Sequence, residues 1–411
     1  MIGAADVIVY VFLFTSLYFE VFMLITFLER APVRVRSVAP LTRYPSVAVI
    51  IPCRNEANTI AGTIESVLAL DYPQEKLSVM VIDDGSTDNT YEIGKRYEIH
   101  PNVNVFTKKG GGKHTALNYG IERSNSEFII GLDADSFVQP YALREMMRRF
   151  EEEPDIMAVT PALRVQNPKN FLEYIQRAEY SLSIFYRFLF GRLGALFVTP
   201  GPFSIYRKEV FEKIGLFRPA YNTEDMEMAM RMQKHFMRIE NAPTAHVETV
   251  VPTTLRALLR QRIRWVQGFL QNGMDYRHMF FSPRHGNLGL FVLPAALISF
   301  FGALYFAGYL LVHAGILFFD KFVQIKTIGV AGLFGITHFD WFYLSSTARI
   351  FVILGLLILT ATLILIGKRM ANERLFSRDV AYYLAFYGFL APLWLAKALY
   401  NTALTKESLW K

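Results

Sequence analysis

Three acidic clusters, a glycine–lysine run and a basic aromatic run hold the side chains best suited to chemistry. Asp133-Ala134-Asp135 closes an apolar stretch. On extended backbone, residues i and i+2 share one side. Asp133 and Asp135 could therefore engage a hard divalent cation, manganese or magnesium, together with phosphate oxygens. Such a cation neutralises charge developing on a diphosphate leaving group. Asp83 and Asp84 precede Gly85-Ser86-Thr87-Asp88, a turn leading into a helical pattern. Carboxylates there could accept from a base N–H or ribose hydroxyls, and a helix amino terminus nearby favours phosphate.

Thr223-Glu224-Asp225 opens another helical pattern, with Thr223 as N-cap. The helix dipole is expected to keep Asp225 ionised, which suits a general base beside an acceptor hydroxyl. In Gln261-Arg262-Ile263-Arg264-Trp265, residues 261, 264 and 265 share a helical face. Arg264 could clamp a phosphate, and Trp265 could stack on a sugar ring. Gly110-Gly111-Gly112-Lys113 fails the phosphate-loop spacing, because Thr107 replaces the first glycine and His114 follows the lysine. A flexible loop delivering Lys113 to a phosphate remains. His246 is a candidate further metal ligand. Glu20, His313 and Lys397 lie in apolar segments, where polar groups are functional candidates by default.

The elements that must position these residues alternate. Strands are expected at Val47 to Pro52, Val79 to Ile82, Val103 to Phe106 and Phe128 to Leu132. Helices are expected at Thr59 to Leu70, Asn89 to Tyr97 and Lys113 to Arg123. Short connections between them mean an α/β, doubly wound sheet. Such sheets bind ligands beyond the carboxyl ends of their strands, where Asn55, Asp83, Asp84, Asp133 and Asp135 fall. Residues 169–193 and 253–281 are aromatic and basic with helical rhythm, and read as helices lying on a membrane face.

With 411 residues and 52% hydrophobic content, the chain can hold one sizeable domain plus membrane segments. Val7 to Leu28, Leu288 to Leu317, Ala348 to Gly367 and Val380 to Tyr400 are long enough to span. Thr327 to Ile336 is shorter and reads as interfacial. The first segment lacks a basic leader and a small-residue cleavage site, so it reads as a retained anchor. The domains expected are a transmembrane helix at 1–28, a linker at 29–45, a catalytic domain at 46–250, an interfacial region at 251–285 and a membrane region at 286–411. The net charge of +7 is read as membrane-flanking charge. Arg30, Arg34 and Arg36, and then Lys368, Arg369, Arg374 and Arg378, put the central region in the cytoplasm of a multi-pass cell-membrane protein with both termini outside. No module for nucleic acid is present. The lone Cys53 excludes an internal disulfide framework.

The order Ile51-Pro52-Cys53-Arg54-Asn55-Glu56, Asp83-Asp84-Gly85-Ser86-Thr87-Asp88, Lys113-His114-Thr115-Ala116-Leu117-Asn118, Asp133-Ala134-Asp135, Thr223-Glu224-Asp225 and Gln261-Arg262-Ile263-Arg264-Trp265 resembles family 2 glycosyltransferases. The likeness is strongest to the membrane-embedded branch with cellulose, hyaluronan and poly-N-acetylglucosamine synthases. Residues 199–207, ending in Arg207, resemble their acceptor-side strand. The resemblance covers roughly residues 46–280. It implies a GT-A fold, an inverting displacement and a divalent metal. Pro52, Asn55, Glu56, Asp83, Asp84 and Lys113 would hold the nucleotide, Asp133 and Asp135 the metal, and Asp225 would be the base. Glu224, Gln261, Arg264, Trp265 and Arg207 would line the diphosphate and acceptor pocket. The synthases usually carry two helices before the catalytic domain and four or more after it. One and three here imply a groove open to lipid rather than a complete secretion channel.

The expected activity is therefore transfer of a hexose from a GDP- or UDP-sugar to a polyprenyl- or dolichyl-linked acceptor in glycan biosynthesis. Mannose is favoured, with glucose or N-acetylglucosamine as alternatives. Scarce thiols and glutamines fit a heat-adapted source, and an archaeal one would favour GDP-mannose and a dolichyl carrier. The alternatives are a processive polysaccharide synthase, a polyprenyl-phosphate glycosyl synthase and an inactive nucleotide-sugar-binding scaffold.

Overall fold

The computed structural model describes residues 4–30, 41–329 and 348–404. Apolar α1 (Ala4–Arg30) leads to β1 (Val47–Cys53), which is buried at every position, as a strand covered on both faces must be. Then follow α2 (Ile60–Leu68), β2 (Leu77–Asp83), α3 (Thr90–Lys95), β3 (Val103–Thr107), α4 (Lys113–Arg123) and β4 (Phe128–Gly131). Next come β5 (Ser136–Val138), α5 (Ala142–Glu152), β6 (Ile156–Val165) and α6 (Phe171–Arg192). The domain closes with β7 (Ser204–Arg207), α7 (Lys208–Ile214), α8 (Glu224–Lys234), β8 (Arg238–Thr249) and α9 (Leu255–Asp275). After it come α10 (Leu293–Ile328), α11 (Ala348–Met370) and α12 (Arg378–Ala403).

The eight strands form one mixed sheet in the order β3-β2-β1-β4-β7-β6-β8-β5. The β3-β2-β1-β4 half is parallel, with β1 central, so its strand tips lie together. The first departure from a simple doubly wound sheet is β7, which runs antiparallel to β4 with Ser204 opposite Gly131 and Arg207 opposite Phe128. That reversal brings Pro200 and Gly201 to the carboxyl end of β4, where Asp133 emerges. It sends Arg207 to the far end. Two apolar layers sandwich the sheet, one around Val49, Ile51, Ile130 and Ile205, the other around Ile50, Ile82, Ile129 and Met228. Each fully buried Val or Ile contributes roughly 1.5–3 kcal/mol.

A capping box between Asn170 and Glu173 starts α6. This helix leans on β6 and β8 with one face and on α11 and α12 with another. Gly367 of α11 lets the two backbones meet, because a Cβ there would collide with the Ser181 carbonyl. Helices α9 and α12 also pack together. Four helical stretches are long and apolar enough to cross a membrane: Ala5–Glu29, Leu288–Thr327, Ile350–Met370 and Arg378–Ala403. The interfacial stretch expected at Thr327 to Ile336 lies outside the described residues beyond Gly329, where α10 has already ended. Arg34 and Arg36 lie outside them too. Glu20 accepts from Thr360 of α11 at 2.8 Å, His313 bonds the Tyr309 carbonyl of its own helix, and Lys397 sits over the Tyr400 ring. Lys368 is fully buried against Asp379 at 2.5 Å, so this flanking charge ties α11 to α12.

Candidate active site

A cavity of about 800 Å³ opens between the carboxyl tips of the parallel strands, α6, the start of α8, and helices α9 and α12. Its polar end holds Glu56, Lys113, Asp133, Asp135, Glu224 and Asp225. The Lys113 Nζ lies 2.5 Å from Asp133 Oδ1 and 3.4 Å from Glu224 Oε1. Burial opposes its charge, but Asp133, Glu224 and Asp225 outweigh burial and raise its pKa. Gly201 permits this meeting, since a Cβ there would strike Lys113 and stand 3.0 Å from Asp133 Oδ2. Burial, then Asp133 and Glu56, push the Asp135 carboxyl up to about 7. Ser136 donates to it at 3.2 Å.

Asp225 stands in the first turn of α8. Its Oδ2 accepts from the Gly201 amide at 3.3 Å and its Oδ1 from the Met226 amide at 2.8 Å. Burial and then Glu224 raise its pKa, outweighing Lys113, the Met226 amide and Arg264. The shift runs opposite to the one the helix dipole alone predicts. A raised carboxylate is the better proton acceptor. Thr223 occupies the N-cap position, but its hydroxyl does not cap. It donates to Ala220 O at 2.9 Å and accepts from Asn272 of α9 at 2.9 Å.

The motif helix α9 holds the approach to Asp225. Arg264 donates to the Asn222 carbonyl at 2.7 Å, restraining Ala220, Tyr221 and Asn222, which are all left-handed. Such non-glycine residues are uncommon and costly. Trp265 lines the cavity, with the Arg262 guanidinium 4.2 Å from its ring centroid. Arg262 is buried and bonds Glu179 of α6 at 2.7 Å, and Tyr387 of α12 donates to the same carboxylate at 3.2 Å. Gln261 lines the cavity and accepts from Arg262 at 3.0 Å.

The remaining expected residues divide. Pro52 and Glu56 line the cavity, whereas Asn55, Asp83 and Asp84 do not. Asp84 is buried and accepts from the amides of Gly111 and Gly112 and from Lys108 Nζ, so it anchors the glycine loop that begins α4 at Lys113. Asp83 accepts from the Ser86 amide and Thr107 hydroxyl, and Asn55 from the Thr87 amide.

Two expectations are corrected. His246 does not join Asp133 and Asp135: its ring nitrogens pair with the Tyr141 hydroxyl at 2.9 Å and the Met370 carbonyl at 3.1 Å, so it braces the sheet against α11. Arg207 is not in the pocket: it donates to the carbonyls of Ile156 and Pro154 at the opposite sheet end, because β7 is antiparallel. Arg54, Arg187, Arg260 and the tyrosines 180, 186, 383 and 387 line the cavity without having been foreseen. For α6, the aromatic spacing was the available signal.

The profile described as Glycosyl transferase family 2 matches residues 48–215. These residues are a family 2 glycosyltransferase domain. The poly-beta-1,6-N-acetyl-D-glucosamine synthase of Staphylococcus aureus is 33% identical over 232 residues, 54% of this chain and 54% of its own. The synthase of that name from Staphylococcus epidermidis is 32% identical over 226 residues, again 54% of each chain. The chain thus spans about half the length of the curated relatives it matches. Among solved structures, a mannosyltransferase from Pyrobaculum calidifontis, in complex with GDP-Man and Mn2+, has a TM-score of 0.61 at 19% identity, covering 98% of this chain and 99% of that one. At that identity the likeness is one of fold, and the glycosyltransferase domain is GT-A-like.

Proposed function

We propose that this protein is an inverting membrane hexosyltransferase that extends a saccharide hydroxyl, in the manner of the poly-N-acetylglucosamine synthases it resembles. The observation that carries the proposal is the single cavity in which acidic strand tips, a raised Asp225 and Trp265 face one another beside α12, a helix apolar enough to cross a membrane. The nucleotide-sugar diphosphate belongs at the polar end, near Lys113. The acceptor belongs between Trp265 and α6, with its hydroxyl toward Asp225, which takes the proton as that oxygen attacks the anomeric carbon from the face opposite the diphosphate. The catalytic domain lies on the cytoplasmic side, as the flanking basic residues suggest.

The acidic pair fits a divalent cation. Burial, then the charges of Asp133 and Glu56, raise the Asp135 carboxyl to about 7, and a cation would relieve both costs. Among the described residues no cluster of three or more His, Cys, Asp or Glu is spaced to hold a metal by itself. Magnesium commonly takes one or two carboxylates and completes its shell with substrate phosphates. Asp133 and Asp135 would hold the ion, which would supply charge neutralisation to the leaving diphosphate.

A second reading, one or a few transfers to a polyprenyl-linked saccharide, is favoured by the aromatic wall that α6 and α12 give the cavity. The test is a panel of radiolabelled UDP- and GDP-sugars supplied with membrane lipid extract, with products sized by gel filtration and partitioned into butanol. Polymer from UDP-N-acetylglucosamine supports the first reading. Short butanol-soluble products support the second. Absence of any donor turnover defeats both and leaves the scaffold.

A further inference from the structure

Six acids line the cavity, and five of them belong to the sequence motifs: Glu56, Asp133, Asp135, Glu224 and Asp225. The sixth, Glu179, belongs to none. It stands in the middle of α6, and its carboxylate takes a donor from each of two other helices. Its Oε2 accepts from Arg262 of α9 at 2.7 Å, and its Oε1 from the Tyr387 hydroxyl of α12 at 3.2 Å. A carboxylate only accepts, and here each oxygen already has a donor.

Arg262 is 3% exposed and, unlike Gln261, Arg264 and Trp265 beside it, does not line the cavity. Its guanidinium is held at two points, by Glu179 and by Gln261 Oε1, which accepts from it at 3.0 Å. So held, it lies 4.2 Å from the centroid of the Trp265 ring. A desolvated guanidinium over an indole is a favourable and directional contact. The α12 end is fixed as well. The Tyr387 ring stacks on Tyr383 at 4.4 Å and meets the buried Trp394 edge-on at 5.7 Å. The ring cannot swing its hydroxyl away from Glu179 without giving up both contacts.

We propose that Glu179 is a positioning residue for the transfer: it ties α9 to α12 and, through Arg262, fixes the Trp265 ring that faces the acceptor. It is not a second base, since both of its oxygens already face donors and Asp225 takes the proton. The chain Tyr387, Glu179, Arg262, Trp265 makes the acceptor site depend on the seat of α12, a helix long and apolar enough to cross a membrane. The term acceptor rests on the hexosyltransferase reading, but the control of Trp265 by Glu179 does not.

The test uses the full chain in detergent, labelled with 5-fluorotryptophan and read by fluorine NMR. The chain has four tryptophans, and Trp265→Phe identifies the Trp265 resonance. Without substrate, Glu179→Gln and Tyr387→Phe should each shift that resonance, the first more than the second. Tyr387→Phe keeps the ring contacts and removes only the hydroxyl, so it carries the test if Glu179→Gln fails to fold. A Trp265 resonance unmoved by either overturns the inference. Kinetics with UDP-N-acetylglucosamine and a β-1,6-linked N-acetylglucosamine trisaccharide separate positioning from mere stability. Glu179→Gln should raise acceptor KM about fivefold with donor KM little changed, and in a Trp265→Ala background it should add less than about twofold, as for side chains acting through one another. The full effect in both backgrounds, or an equal rise in donor KM, overturns the inference too. No transfer with this pair, while the Trp265 resonance still answers to Glu179, sinks the transferase reading of these substrates and leaves the positioning role standing.

Discussion

The two ends of the cavity are built on opposite principles. At the strand tips, polar groups are satisfied by the ends and loops of neighbouring strands: Asp84 by the amides of Gly111 and Gly112, Asp83 by Ser86 and Thr107, Asn55 by Thr87. On the α6, α8 and α9 side, satisfaction comes through α9, a helix from outside the sheet: Thr223 from Asn272, Arg262 from Glu179, Asn222 from Arg264. That side also holds three successive left-handed residues. A self-satisfied scaffold can hold one shared donor in a fixed pose. A cross-braced one is where a particular acceptor can be selected.

The sharpest break in this comparison is at the junction of the two ends. Asp225→Asn keeps the side-chain shape and one of the two amide contacts, from Gly201 or from Met226, but cannot take a proton. Transfer should fall by about 10²–10⁴-fold, while nucleotide-sugar binding, read by calorimetry, persists. Undiminished turnover removes Asp225 from the role of base. A smaller effect, confined to the cross-braced side, is expected at Gly268 of α9. A Cβ there would stand 2.9 Å from Thr223 Cβ, tighter than packed atoms tolerate. Gly268→Ala should cost roughly 1–3 kcal/mol of stability by overpacking. Because Thr223 leads into Asp225, kcat should fall more than donor affinity. Wild-type melting and kcat together would show that the two helices are not coupled there.

The same contrast explains what was legible in the sequence. Strands β1 to β4 and helix α4 could be read because each is a local apolar run or amphipathic repeat bounded by turns, and the acidic residues at their ends follow from parallel topology. Strand β8 could not. Asn241, Pro243 and Thr244 interrupt any apolar alternation, and its register comes from pairing with distant β6. Asn241 is tolerated inside because Thr160 and Pro161 accept from it, and Thr244 because Glu145 does. His246 and Arg207 carry suitable chemistry but lie elsewhere, since residue type says nothing of which strand end faces the cavity. Glu179 belongs to no motif, and its two partners become visible only when α6 is set against α9 and α12.

The acidic pair sharpens the comparison through pH. Asp135 has a folded pKa raised from 3.8 to about 7. The native state therefore holds a proton that the unfolded chain has lost. The stabilisation from this group is full below 3.8 and fades as pH rises through about 7. In chelator, the wild-type melting temperature should decline across that window relative to Asp135→Asn. Manganese or magnesium should restore it above the window, in wild type only. Parallel curves for the two proteins would remove Asp135 from both the titration and the metal.

The smallest effect expected is at Trp265, and it bears most directly on which end does the selecting. Its ring has Arg262 over it and otherwise faces the cavity, so Trp265→Ala leaves the buried Arg262–Glu179 pair in place. Aromatic contacts contribute about 0.5–1.5 kcal/mol beyond area burial. Acceptor KM should accordingly rise several-fold, with donor KM and the metal requirement little moved. Equal losses for donor and acceptor would mean that Trp265 serves the diphosphate end. The division drawn between a scaffold for the donor and a braced wall for the acceptor would then fail at its most exposed point.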